Sequence, residues 1–181
     1  MDVISPNADE FMAFFEHDIQ ENQASRAALF LEEVQSRRGC SAVLVIREGA
    51  GGCSAYLGTK HLHLRAFHQG SDAAVRDPTG GGNTFLGALA FAMTRNVAFP
   101  LVEEMTRNIG DGKHSIGVMT SLQTLVSPLI QATVAASFAI EQSGMPVLSS
   151  NGNWNGESFE DRLSAYVHRD CQYILDQFTT E

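Results

Sequence analysis

The chain turns on Asp77-Pro78-Thr79-Gly80-Gly81-Gly82-Asn83-Thr84-Phe85. Glycine loses more backbone entropy on ordering than any other residue, so three in a row read as a loop, outside helix and strand. Directly after them Phe85, Leu86, Leu89, Ala90 and Met93 recur at helical spacing. Asn83 and Thr84 stand where a helix start takes short polar side chains. The stretch therefore predicts a glycine-rich loop feeding a helix N-terminus, with free backbone N–H groups and the positive end of the helix dipole facing outward. Anions, phosphates above all, bind at such junctions. A plain turn before a core helix has the same composition, and the residues alone leave both readings open.

Upstream of this loop, Ala42 to Ile46 form a near-continuous apolar run, the pattern of a strand buried on both faces of a parallel sheet. Gly49-Ala50-Gly51-Gly52 follows and leads into a second short strand, Cys53 to Leu57; taken alone, the glycines suit a hairpin turn. His61 and His63 alternate on one face of a further strand, with His68 close behind. No third ligand has metal-site spacing, so a solvated strand face is expected. Val3 and Ile4 end an earlier strand, stopped by Pro6. Asn7 then opens a helix that would bury Phe11, Phe14 and Phe15, and Asn7 with Glu10 has the spacing of a capping box. Gln23 to Arg38 is a second helix with Ala27, Ala28, Leu31 and Val34 inward, ended by Gly39.

Downstream, residues 96 to 113 read as irregular apart from a short helix at Leu101 to Met105. Ser121 to Gln142 is a helix rich in small residues, which allow close approach of another backbone or of a flat ring. Pro128 begins or kinks it, and Gly144 and Pro146 close it. After a polar loop at Asn151 to Gly156, Phe159 to Phe178 is amphipathic, with Leu163, Tyr166, Val167, Cys171, Ile174 and Phe178 on one stripe.

With 44% hydrophobic residues in 181, the chain can bury one real core. A formal charge of −9 without any basic run argues against nucleic acid or an anionic membrane as the main partner. No apolar run approaches a membrane span and no signal-peptide pattern opens the chain. Cys40, Cys53 and Cys171 are odd in number and far apart, as expected of reduced thiols in a cytoplasmic protein.

The nine-residue stretch resembles the signature of the pfkB (ribokinase-like) carbohydrate kinases, Asp-Thr-Thr-Gly-Ala-Gly-Asp followed by a small residue and Phe. Asp77, Thr79, Gly80, Gly82 and Phe85 match, and Asn83 stands where the family has its catalytic aspartate. Pro6-Asn7-Ala8-Asp9-Glu10 resembles the family's Pro-Asn-x-x-Glu motif, whose Asn and Glu organise magnesium through water. Gly49 and Gly52 match its Thr-x-Gly-x-x-Gly nucleotide segment, with Arg47 at the threonine position. Ala135 to Gly144 resembles the adenine-side helix, most like the fungal maintenance-of-killer branch, which likewise tends to have Gly-Gly-Gly-Asn.

The resemblance implies an α/β, three-layer α/β/α ribokinase-like fold with a mostly parallel sheet. Residues 1–181 would be a single partial domain, the C-terminal nucleotide-binding half, without the acceptor and lid half. An exposed sheet edge would then favour oligomers. It implies ATP and Mg2+ as cofactors, with K+ as a further cation. Gly80, Gly81 and Gly82 would form the anion hole beside Asn83. Gly49, Gly52, Thr79, Ala136, Ala139 and Gly144 would bind nucleotide. Asn7 and Glu10 would hold magnesium, and Asp77 a monovalent cation. The expected activity is phosphoryl transfer to the hydroxyl of a sugar or nucleoside, the acceptor being unspecified. Since an amide cannot serve as the base, a pseudokinase that binds nucleotide without turnover is the alternative.

Overall fold

The computed structural model describes residues 2–15, 22–70, 74–95, 99–109 and 122–179. Four strands form one sheet in the order β1 (Asp2–Ile4), β2 (Ala42–Arg47), β3 (Cys53–Leu57), β4 (Lys60–Leu64). Among the described residues six helices pack with it: α1 (Ala8–Met12), α2 (Gln23–Arg38), α3 (Gly81–Arg95), α4 (Pro100–Ile109), α5 (Gln123–Ala139) and α6 (Phe159–Thr179). A single 3-10 turn, Gly49–Gly51, joins β2 to β3.

Strand β2 is the centre of the sheet, as its apolar run predicts: Val43, Leu44, Val45 and Ile46 are fully buried. Its alternation divides the core in two. Val43 and Val45 join Ala55, Leu62 and Leu64 in a large cluster with residues of α3 to α6. Ala42, Leu44 and Ile46 face the other way, onto Phe11, Ala27 and Leu31 of α1 and α2. Each side chain class of the strand is thus committed to one helical layer, so a one-residue slip in register would break both clusters.

The sheet is mixed, not mostly parallel. β1 pairs β2 in parallel, while β2–β3 and β3–β4 are antiparallel. The connections explain this: Gly58 and Thr59 alone join β3 to β4, and so short a link cannot return a strand in parallel.

The helices correct the sequence expectations in three places. Helix α3 begins at Gly81, so two of the three glycines lie in its first turn. First-turn N–H groups have no intrahelical acceptor, so what disfavours glycine there is entropy, not lost hydrogen bonds. Helix α4 is twice the expected length, with Pro100 as its first residue, where a missing N–H costs nothing. Phe14 lies outside α1 and is 62% exposed, while Phe11 is buried as expected. Among the described residues helices α3 and α5 make the most extensive helix pairing, which accounts for the small residues of α5. Pro128 is buried inside α5, five residues from its start.

No helix among the described residues is long and apolar enough to cross a membrane. Cys40, Cys53 and Cys171 are all free thiols; burial pushes Cys53 up to about 12.

Candidate functional site

Segments far apart in the chain converge on one cleft of about 550 Å3. Asn7, Arg47, Gly49 and Gly52 line it from the sheet side, and Pro78, Gly81, Gly82 and Phe85 from the glycine-rich loop and α3. Thr133, Ala136, Ser137 and Ile140 contribute the α5 wall, and Phe67, His68 and Gly70 the segment after β4. Of the residues anticipated from sequence, Asn7, Gly49, Gly52, Gly81, Gly82 and Ala136 are brought together here. Glu10, Asp77, Thr79, Gly80, Asn83, Ala139 and Gly144 are not among the lining residues.

The loop is shaped by specific bonds. The Asp77 carboxylate accepts the Thr79 N–H at 2.9 Å, a turn built on its own side chain. Bonding from Thr79 holds the Asp77 carboxyl below its ordinary value. Gly80 has φ +88°, a left-handed conformation that few side chains tolerate. The carbonyl of Ile140, at the end of α5, accepts from both Arg76 N–H (2.9 Å) and Asp77 N–H (3.1 Å). Ile140 also presses on the helix start, where a Cβ on Gly81 would stand 2.6 Å from its Cγ2. The end of α5 therefore clamps the loop and sets the position of the α3 N-terminus.

At that N-terminus the Gly81 N–H is taken by the Pro78 carbonyl at 3.2 Å, and Thr84 N–H begins the helical ladder on Gly80 O at 2.9 Å. Helix geometry then leaves Gly82 N–H and Asn83 N–H without an acceptor within α3. Asn83 itself is exposed.

Arg47 is the functional candidate that the sequence motifs do not assign. It ends β2, and its N–H bonds the Pro6 carbonyl at 3.0 Å, extending the parallel pairing to Asn7. Its guanidinium lies over the first turn of α3: a Cβ on Gly82 would be 2.3 Å from Arg47 Nη1. Arg47 Nη2 donates to Ser5 O at 3.1 Å and to Glu10 Oε2 at 3.4 Å, whereas Nε is buried without an acceptor among the described residues. An arginine replacing a small residue just ahead of a glycine turn was the available signal.

Asn7 and Glu10 form the reciprocal capping box of α1: Glu10 N–H donates to Asn7 Oδ1 and Asn7 N–H to Glu10 Oε2, both at 2.7 Å. With Oε2 also paired to Arg47, the carboxylate has its charge matched by a guanidinium before any metal arrives. A divalent cation needs local negative charge and oxygen ligands. Among the described residues no group of three His, Cys, Asp or Glu could hold one. As arranged, Glu10 would offer a magnesium ion a carboxylate already paired to Arg47.

The turn at Gly49–Gly52 is held from behind by a polar cluster. Glu48 accepts from Gln23 Nε2 at 2.6 Å and lies 3.5 Å from His63 Nε2. Burial alone would push the Glu48 carboxyl up, but hydrogen bonds from His63, Gln23 and Ser54 bring it down to about 2. His63 also bonds the Tyr173 hydroxyl at 2.6 Å and the Gly51 carbonyl at 3.0 Å. It is therefore half-buried and engaged, against the solvated face expected; His61 is exposed and stacks on Tyr56.

Beyond Ala136, the α5 end carries a second network. Glu141 pairs with the buried Arg162 at 2.7 Å, with His68 at 2.8 Å and with Asn155 Nδ2 at 2.9 Å. Burial opposes ionisation of Glu141, and the bonds from Asn155, Arg162 and His68 overcome it and lower its pKa. Arg162 lies 3.7 Å above the Phe138 ring. Ala139 is buried beside this network, and Gly144, at φ +90°, ends it in an exposed turn.

No family model matches the chain. An uncharacterized protein of Schizosaccharomyces pombe is 30% identical over 186 residues, covering 91% of this chain and 44% of that protein. Protein MAK32 of Saccharomyces cerevisiae is 28% identical, covering 96% and 43%. The chain thus spans less than half the length of the curated relatives it matches. Among solved structures, ribokinase of Arabidopsis thaliana, complexed with ribose and ATP, aligns over 92% of this chain and 41% of its own, with a TM-score of 0.52 at 18% identity. This chain shares the fold of part of a ribokinase. The ribokinase fold is what places the glycine-rich loop, the turn after β2 and the end of α5 around one cleft. The resemblance to the pfkB carbohydrate kinases therefore extends from the motifs to the architecture, and the likeness to the maintenance-of-killer branch extends to the sequence of MAK32.

Proposed function

We propose that the cleft is the nucleotide side of a pfkB-type phosphotransferase, the chain corresponding to the C-terminal half of a three-layer α/β/α kinase domain. One observation carries this reading: the three segments that the resemblance assigns to the ATP side, the glycine-rich loop, Gly49 to Gly52 and Ala135 to Gly144, all line one cleft, beside Asn7 of the magnesium motif. The relatives and the ribose- and ATP-bound ribokinase support it. Phosphoryl transfer asks chiefly for positioning and for charge stabilisation of a migrating phosphoryl group. The unengaged N–H groups of Gly82 and Asn83 at the α3 start are suited to that task. The acceptor is the hydroxyl of a sugar or nucleoside, and the setting is cytoplasmic.

A pseudokinase is the second reading, favoured by Asn83, which is exposed and outside the cleft lining. An amide can orient a hydroxyl but cannot take its proton near neutral pH. The deciding experiment measures phosphate transfer from labelled ATP across a panel of sugars and nucleosides, for the parent protein beside its Asn83→Asp variant. For a kinase with an impaired base, Asn83→Asp raises transfer about a hundred-fold or more. Background transfer by both, with nucleotide binding intact, establishes the pseudokinase. Rapid transfer by the unmodified protein, unchanged in Asn83→Asp, overturns the role given to this position.

A further inference from the structure

We propose that Arg47 supplies the cation of the phosphate site, so that the cleft binds nucleotide phosphates without a divalent metal. The inference rests on the nucleotide reading above and adds the charge chemistry of that site. Three observations converge. The guanidinium stands at the first turn of α3, and the room it occupies exists because position 82 has no side chain: a Cβ there would be 2.3 Å from Nη1. Glu10, the carboxylate from which a metal would take its charge, is paired to the same arginine at 3.4 Å. Arg47 itself lines the cleft, with its Nη2 held by Ser5 O and Glu10.

A guanidinium has five N–H donors in a planar fork that matches two phosphate oxygens. Here the Nη2 bonds to Ser5 O and Glu10 anchor one edge of the fork. An anion in front of Gly82 N–H and Asn83 N–H would meet the Nη1 corner and the helix dipole together. A divalent cation at this place would be repelled by the guanidinium and would find the neighbouring carboxylate already paired.

The test is calorimetric titration of ADP and of ATP into the folded protein, in EDTA and again in excess Mg2+, for the parent, Arg47→Ala and Arg47→Lys. Expected are parent affinities that differ less than about threefold between EDTA and Mg2+, and a loss of at least about tenfold in Arg47→Ala, the scale of a charge-assisted hydrogen bond. Arg47→Lys keeps the charge without the fork and should fall between. Far-UV circular dichroism and the melting midpoint of each variant separate lost binding from lost fold. If Arg47→Ala fails to fold, the EDTA titration of the parent and the Arg47→Lys result decide. Binding that requires Mg2+, or that survives Arg47→Ala undiminished, overturns the inference while leaving the nucleotide reading standing. No binding of either nucleotide under any condition overturns both.

Discussion

Gly52 lies against the Leu64 carbonyl so closely that a β-carbon at position 52 would stand 2.0 Å from that oxygen, and 2.7 Å from Ala66 N. The obstacle is backbone, which cannot swing aside, and the φ of +105° adds strain for any other residue. Gly52→Ala should therefore cost about 3 kcal/mol or more, combining overpacking with backbone strain. Gly49 has φ +59° but open space around it, so Gly49→Ala should cost only about 1 kcal/mol. Denaturant midpoints of the two variants check this; equal losses would mean that the turn does not seat on β4 as described.

Gly82→Ala separates site from fold in the opposite way. The atom in conflict with the new methyl is the end of a flexible side chain, Arg47 Nη1, and alanine is the better helix former. Stability should change by less than about 1 kcal/mol. Nucleotide affinity measured by calorimetry should fall, because the guanidinium is pushed off the helix start. Unchanged affinity in a folded Gly82→Ala protein would remove Arg47 from the site.

The acid limb of stability should report on Glu48. Its carboxyl is held at about 2 in the fold against an ordinary 4.5, so between those values the unfolded chain takes up the proton first. The contribution is fully present above about pH 4.5 and is lost as pH falls toward 2. Discounted for the solvent that reaches the group, it is worth about 1 kcal/mol. Urea midpoints between pH 6 and pH 3 should decline more steeply for the parent than for Glu48→Gln; parallel declines would refute the assignment.

Arg162 is a buried charge packed against Phe138 of the larger core. Removing it leaves Glu141 and its surroundings without their cation and strips the Phe138 ring of its cover. Arg162→Ala should destabilise by about 3–5 kcal/mol, the cost of breaking a buried pair. Truncating both partners, Arg162→Ala with Glu141→Ala, should recover part of that loss in a double-mutant cycle.

At the exposed start of α3, Asn83→Asp places a carboxylate near the positive end of the helix dipole. A gain of about 0.3–1 kcal/mol is expected, seen as a small rise in the melting midpoint that fades in high salt.

Much of this architecture was legible because it depends on local pattern. The run Ala42 to Ile46 announced a strand covered on both faces, and the spacing from Phe85 to Met93 announced α3. Sheet direction was missed for a reason also visible in the chain. A strand buried on both faces has no alternation to give away its partners, and the informative feature was the two-residue link Gly58-Thr59. The capping box at Asn7 and Glu10 was legible since it spans three residues. Arg47 was not, because its placement needs β1, β2, α1 and α3 assembled at once, and no local spacing encodes that. The start of α3 at Gly81 was missed similarly: the close contacts with Ile140 and Arg47, which require glycine, come from distant segments.

The division of the core by β2 has a consequence for how the molecule breathes. The cluster under α1 and α2 is much the smaller, so this layer should open by local unfolding at lower free energy than the cluster around α5. Asn7 and Arg47 are joined across that layer's margin. Each such opening would dissolve one wall of the cleft while α3, α5 and the glycine-rich loop stay in place. A ligand seated in the cleft would then slow amide exchange in α1 and in the first turns of α2, including amides it never touches.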